Sequence, residues 1–342
     1  MIRESARFVV GEAEHVIVDE AGCKDAAQEV LKEMHRKDFS VKTWSSHELT
    51  PKEKNKATVD WIFTVDLLNF SFWSSIDSED TGKSESERYS VEYKGKLYTG
   101  YWSLVAAINK ALDNGIPITT PSFWLSENFP EVAKKVFRSE NREDMPMFDK
   151  RIEVLQEAGK TFERMGYTSF TQFVELAQNS AQTLIGIVIE NFSSFNDTHS
   201  YKNHEVKIMK RVQILTADIW ACFEGKDYGK FDDIDTITMF ADYRVPQILH
   251  TLGCLKYSEQ LESRIRKLEL LPSGDPMEVE LRACSIWAVE LIVNELRNLC
   301  PPRAINSILV DFYLWDTAKE LQQQFNGIGN QIPCHRTRSV FY

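Results

Sequence analysis

Basic charge is scarce in this 342-residue chain, where 40 Lys and Arg stand against 51 Asp and Glu for a formal net charge of -11. A protein that holds a long nucleic acid depends on clustered Lys and Arg, so this balance argues against stable duplex binding. A single phosphate stays within reach, because one or two local cations suffice for it. No apolar run approaches the ~20 residues that span a bilayer, and Met1 to Glu20 lacks the basic-then-apolar order of a signal peptide. The expectation is a cytoplasmic protein with no membrane partner. The six cysteines, at 23, 222, 254, 284, 300 and 334, form no Cys-x-x-Cys pair, so no metal site is expected from them. Cys222 and Cys284 sit in apolar helical patterns beside Ile219, Trp220 and Phe223 or Ile286 and Trp287, where a reduced cysteine is a small core residue.

Familiar catalytic signatures are also missing. The chain has no Gly-x-Gly-x-x-Gly, no Gly-rich phosphate loop ending in Gly-Lys-Ser/Thr, no Gly-x-Ser-x-Gly and no His-Glu-x-x-His, and its seven histidines are dispersed. Carboxylate chemistry without a cofactor, a metal or a nucleoside triphosphate is the enzymatic option left.

What is present describes an ordinary globular protein, 43% hydrophobic and 27% charged. Length alone suggests about two domains, but no linker divides the chain, and the polar run Asp77–Arg88 reads as a surface loop. A single domain over 1–342 is expected, with an N-terminal lobe (1–145) and a helical lobe (146–342). Helical spacing covers 24–37, and Pro51 is placed to open the helix carrying Val59, Ile62, Phe63, Asp66 and Leu67. Tyr89 to Gly100 alternates as two strands around Lys94-Gly95, one small hairpin, and helical spacing resumes over Tyr101–Leu112. Ser122 is placed to cap the helix after it. From Phe148 the spacing predicts helices over 148–165, 169–190, 204–224, 243–252, 256–270, 276–299 and 303–324, with no strand signal. The fold class is mainly α.

One carboxylate stands out. Asp242 lies in Thr-Ile-Thr-Met-Phe-Ala-Asp-Tyr-Arg-Val-Pro (236–246), after Phe240 and Ala241 and four residues before Pro246, which a helix tolerates only in its first turn. That spacing makes Asp242 a helix cap with Tyr243 following; its apolar surroundings make it costly to desolvate without a partner, such as Arg244, or a task. Asp218, between Ala217 and Ile219 on a helical face that reads as buried, is a second acidic candidate, and Asp66 falls beside an apolar stripe. Phe70, Phe72 and Trp73, interleaved with Asn69 and Ser71, read most simply as core, and also as a wall on which a flat base stacks. Lys210-Arg211 is a basic pair that reads most simply as a solvated helical face.

At Asp66–Trp73, Gly100-Tyr-Trp-Ser-Leu104, Asp113-Asn-Gly-Ile-Pro-Ile-Thr119, Ile214–Gly225 and Phe240–Leu249 the chain resembles the queuosine salvage family of queuosine 5′-phosphate N-glycosylase/hydrolases. The likeness extends to Ile305-Asn-Ser-Ile-Leu309, Tyr313-Leu-Trp-Asp316 and His335-Arg336…Arg338…Tyr342 and runs essentially end to end. It implies hydrolysis of the N-glycosidic bond of queuosine 5′-monophosphate, releasing queuine for re-use in tRNA, on a helical fold similar to the helix-hairpin-helix DNA glycosylases. In those enzymes the essential aspartate occupies an apolar-Asp-x-His-x-x-x-apolar segment, to which Ala241–Ile248 is similar, with Arg244 in the histidine's place. Under this resemblance Asp242 is the catalytic carboxylate. Asp66, Asp77 or Asp218 pairs with the amine of queuine; Asn69 and Ser122 offer hydrogen bonds; Phe70, Phe72, Trp73 or Phe123 stacks on the base. Lys210 and Arg211 are the first choice for the 5′-phosphate, with His204, Lys207, Arg336 and Arg338 competing, while Tyr243 and Arg244 flank the catalytic position. Two rivals stand beside this reading: a repair-type DNA glycosylase, which needs a basic groove, and a non-catalytic nucleotide-binding protein.

Overall fold

A computed structural model describes residues 1–36, 41–75, 87–301, 305–324 and 332–342, so Asp77 and most of the polar run 77–88 lie outside the described residues. The chain packs as two compact units, the first formed by residues 1–43, 197–217 and 233–342 and the second by 44–196 and 218–232. Residues 145 and 146 both belong to the second, so these units do not follow the lobe boundary read from the sequence.

The first unit is built on a 24-residue helix. In chain order it contains α1 (Ile2–Glu12), β1 (Val16–Val18) and α2 (Glu20–Arg36). The second unit then supplies β2 (Ser90–Tyr93), β3 (Lys96–Thr99) and the helices α3 (Lys56–Leu67), α4 (Tyr101–Asp113), α5 (Phe129–Val136), α6 (Phe148–Met165), α7 (Thr171–Leu176) and α8 (Ala181–Asn191). Back in the first unit come β4 (Thr198–Tyr201), β5 (His204–Lys207) and α9 (Lys210–Cys222), whose last five residues belong to the second. α10 (Val245–Thr251), β6 (Leu255–Tyr257), α11 (Glu259–Arg266), α12 (Pro276–Leu299) and α13 (Ser307–Gln324) complete the chain. Among the described residues the fold is mainly α, as expected, with three separate two-stranded antiparallel sheets, β1–β6, β2–β3 and β4–β5.

The long helix is α12. Asp275 caps it by accepting the Met277 amide at 2.9 Å, Pro276 occupies the first turn, and α1, α2, α10, α13 and β1 pack around it. Glu278, Glu280 and Arg282 are buried within it. Such charges are costly unless they are paired and hydrogen-bonded. Glu280 meets that requirement: its Oε2 accepts the amides of Glu14, His15 and Val16 at 3.1, 2.6 and 3.1 Å, and its Oε1 accepts the Tyr201 hydroxyl at 2.8 Å. One side chain thereby fixes the entry to β1 and the end of β4.

The second unit has an aromatic core. Phe63 of α3 stacks on Phe170 at 4.1 Å between ring centroids, with Phe162, Phe192, Phe195 and Trp124 within 6.5 Å of it. α6 covers this core and stops at Gly166, whose φ of 68° is readily adopted without a Cβ.

The structure corrects several sequence boundaries. Residues 204–207 are a strand, because Lys202 and Asn203, at φ 47° and 64°, make a two-residue hairpin turn whose twist suits antiparallel strands. The stretch 169–190 breaks into α7 and α8 at Gln178 and Asn179, again both at positive φ. Residues 255–257 pair with β1 before α11 begins, so strands do occur after Phe148. Pro51 does not open α3; Asn55 does, accepting the Thr58 amide at 3.0 Å. Ser122 precedes a three-residue 3-10 turn, makes no side-chain cap and is exposed.

The buried Glu280 yields a stability prediction. Glu280→Leu leaves three backbone amides and a tyrosine hydroxyl without their acceptor, and is expected to lower the unfolding free energy in urea by about 3 kcal/mol. A loss below about 1 kcal/mol would show that these groups find other partners.

Candidate active site

In the first unit, residues 240–244 form an irregular segment leading into α10. Asp242 is half-buried, and its Oδ1 accepts the amides of Arg244 at 2.8 Å and Val245 at 2.9 Å. Asp242 therefore does hold the start of a helix, but from three residues before its first residue, since α10 begins at Val245 and not at Tyr243. Among the described residues its Oδ2 makes no hydrogen bond. Two amides thus orient the carboxylate and leave one oxygen for another task.

Asp311 of α13 is the residue that sequence reasoning missed. It is buried, and its Oδ1 accepts the Phe240 amide at 2.9 Å, which ties it to the segment bearing Asp242. Burial raises its pKa well above the usual carboxylate value; the Phe240 amide and the Lys210 charge oppose this, and the Asp242 charge reinforces it. Asp311 is thus biased toward a neutral acid beside a second carboxylate. The signal was available, since an acid interrupts the apolar run Ile308–Leu314, the same cost argument that singled out Asp242.

The neighbouring candidates fall around this pair. Lys210 is buried at the first turn of α9, close enough for its charge to act on Asp311, and Arg211 beside it is buried as well. Neither is the solvated face that a basic helical pair suggests. Burial pushes the Tyr243 phenol up to about 12. Arg244 meets Asp242 through its backbone amide, while its guanidinium lies 6.0 Å from the Tyr243 ring centroid. Of the competing cations, Lys207 pairs with Glu205 at 3.0 Å and His204 packs on Phe8.

The second unit holds other candidates, some of them close together. Asp66 and Asp218 are buried, and both charges act on Tyr101, whose phenol is raised chiefly by burial and further by these two acids. Asn69 donates to Asp66 Oδ1 at 3.2 Å. Half-buried Phe72 meets Tyr101 edge-on at 6.2 Å, Tyr101 meets Trp102 at 4.9 Å, and Trp102 stacks on His47 at 3.4 Å. Trp73 is half-buried too. Phe70 is buried, its ring covered by the Arg151 guanidinium at 4.3 Å. Arg151 also donates to the carbonyls of Leu68, Phe70 and Pro146, so it fixes the turn after α3. Phe123 packs edge-on against Phe129 at 5.6 Å. Tyr101, Trp102 and His47 were not singled out as site residues from the sequence, although Tyr101 and Trp102 fall within a matching string.

Comparison with known proteins identifies the family. The family model described as queuosine salvage protein matches residues 49–342. A queuosine 5′-phosphate N-glycosylase/hydrolase of Schizosaccharomyces pombe is 46% identical, covering 100% of this chain and 99% of its own. The protein of that name from Mus musculus is 43% identical, over 99% and 98% of the two chains, and one from Sphaerobacter thermophilus is 35% identical, over 99% and 96%. With a family match over most of its length and relatives aligned from end to end, the chain belongs to the queuosine salvage protein family.

Proposed function

We propose that this protein hydrolyses the N-glycosidic bond of queuosine 5′-monophosphate and releases queuine, with Asp242 as the carboxylate that acts on the ribose. The observation that carries the reading is Asp242 itself, oriented through Oδ1 by two amides with Oδ2 unengaged among the described residues. The relatives named above carry this activity in their names.

The chemistry follows from the charge that the reaction develops. As the bond between C1′ and the base nitrogen breaks, its electron pair leaves with the base and positive charge builds on the ribose. A fixed carboxylate stabilises that charge and orients the water whose oxygen bonds to C1′. Queuine is a 7-deazaguanine and has no N7 to take a proton, so the departing base needs a donor elsewhere. Asp311, biased toward its neutral form, fills that role: it gives its proton to the base and is reprotonated by the proton that the water loses. Lys210 is the proposed phosphate contact.

Asp242→Asn is expected to cut kcat at least ~10²-fold while the melting temperature and nucleotide affinity change little, because Asn can still accept the two amides but lacks the negative charge. Asp218→Asn is the comparison. Normal turnover by Asp242→Asn together with a dead Asp218→Asn would assign the catalytic carboxylate to Asp218.

The acid has its own signature. A donor whose pKa is raised is protonated on the acid side of that pKa, so kcat should fall as pH rises through it. Asp311→Asn retains an acceptor for the Phe240 amide but has no proton to give, so kcat should drop at least ~10²-fold and the alkaline fall should vanish from the residual activity. An alkaline fall that persists in Asp311→Asn would place the donor elsewhere.

A further inference from the structure

Behind Asp242 lies a buried cation that the proposed chemistry does not use. Arg282 of α12 has no solvent exposure, and its Nε donates to the carbonyl of Ala241, the residue before Asp242, at 2.9 Å. Its Nη2 and Nη1 reach Asp197 Oδ2 at 2.6 Å and Oδ1 at 3.1 Å, and Nη1 also reaches Glu278 Oε1 at 3.1 Å. The Tyr342 ring lies 3.9 Å from the guanidinium. Asp197 extends the connection: its Oδ2 accepts the Lys210 amide at 3.2 Å, and its backbone carbonyl accepts the amides of Ile208 and Met209 at 3.1 and 3.3 Å. Met209, at φ 56°, is held in a left-handed conformation just before α9. One ion pair therefore fixes both the peptide entering Asp242 and the start of the helix that carries Lys210.

We infer that Arg282, anchored by Asp197, is a positioning residue for the reaction: it sets the place of the Asp242 carboxylate by gripping the Ala241 carbonyl. The inference rests on the reading that Asp242 is the catalytic carboxylate. Arginine suits the task because its planar fork directs several donors at fixed angles, whereas lysine offers one nitrogen on a flexible stem. A buried ion pair adds little net stability over an apolar replacement, but it specifies geometry, and catalysis is sensitive to displacements near 1 Å.

Arg282→Lys in the full-length protein is the test, because Lys keeps a charge for Asp197 and Glu278 but cannot also hold the Ala241 carbonyl in the same geometry. kcat is expected to fall at least ~10-fold, with KM for queuosine 5′-monophosphate within about threefold of wild type. Ile286→Ala, one turn further along the same buried helix, controls for lost stability; it should lower the melting temperature and leave kcat near normal. Equal kcat losses in the two variants at matched melting temperature would make Arg282 merely structural and overturn the inference. Should Arg282→Lys fail to fold, Asp197→Asn weakens the same anchor, and an unchanged kcat there would count against the inference. Asp242→Asn separates the two readings: if it is dead while Arg282→Lys is normal, only the positioning role fails, and if it turns over normally, the catalytic assignment fails.

Discussion

The first unit depends on placing charge inside a helix that is buried along most of its length. α12 brings Glu278, Glu280 and Arg282 into the core, and each finds partners that a surface charge would find in water. Glu280 gathers three amides at the entry to β1, and Arg282 joins Asp197 to the Ala241 carbonyl. Burial alone would push Asp197 up, yet the Arg282 charge and the His199 hydrogen bond hold its carboxyl below the ordinary carboxylate range. Asp197 is therefore ionised at neutral pH and keeps its grip on both Arg282 and the start of α9. These bonds lock irregular backbone, and irregular backbone is where Asp242 stands.

The contrast between Asp242 and Asp311 shows how one environment yields two kinds of carboxyl group. Asp311 is enclosed, with a single amide on Oδ1, and burial favours its neutral form. Asp242 is half-buried and receives two amides on one oxygen. A glycosidic cleavage needs both a proton for the leaving base and a negative charge for the sugar. The two groups are linked by the short Phe240–Asp242 segment, so whatever fixes that segment fixes them together.

Much of this was legible in the sequence, and the failures have physical causes. α6 and α12 occupy the spans that their apolar spacing predicts, 148–165 and 276–299, and β2 and β3 flank Lys94-Gly95 as expected. The helix expected over 204–224 was too long at its start because non-glycine residues, Lys202 and Asn203, adopt the left-handed turn that lets β4 and β5 pair. Asp242 was recognisable from its apolar neighbours and from Pro246. Asp311 carried the same signal, an acid inside an apolar run, but its tie to Phe240 is a tertiary contact; Arg282 carried none, because it sits in a helical pattern that reads as core and only tertiary contact brings it to Ala241. Lys210 and Arg211 looked like a solvated pair for the converse reason: helical spacing does not reveal that the start of α9 is enclosed.

Hydrolysis at the glycosidic bond is decided by its products. Purified protein is incubated with queuosine 5′-monophosphate, and the mixture is resolved by chromatography with mass detection. The expected result is one equivalent each of free queuine and ribose 5-phosphate for every nucleotide consumed. Nucleotide that is bound but recovered intact, or conversion to nucleoside and inorganic phosphate, would contradict the account.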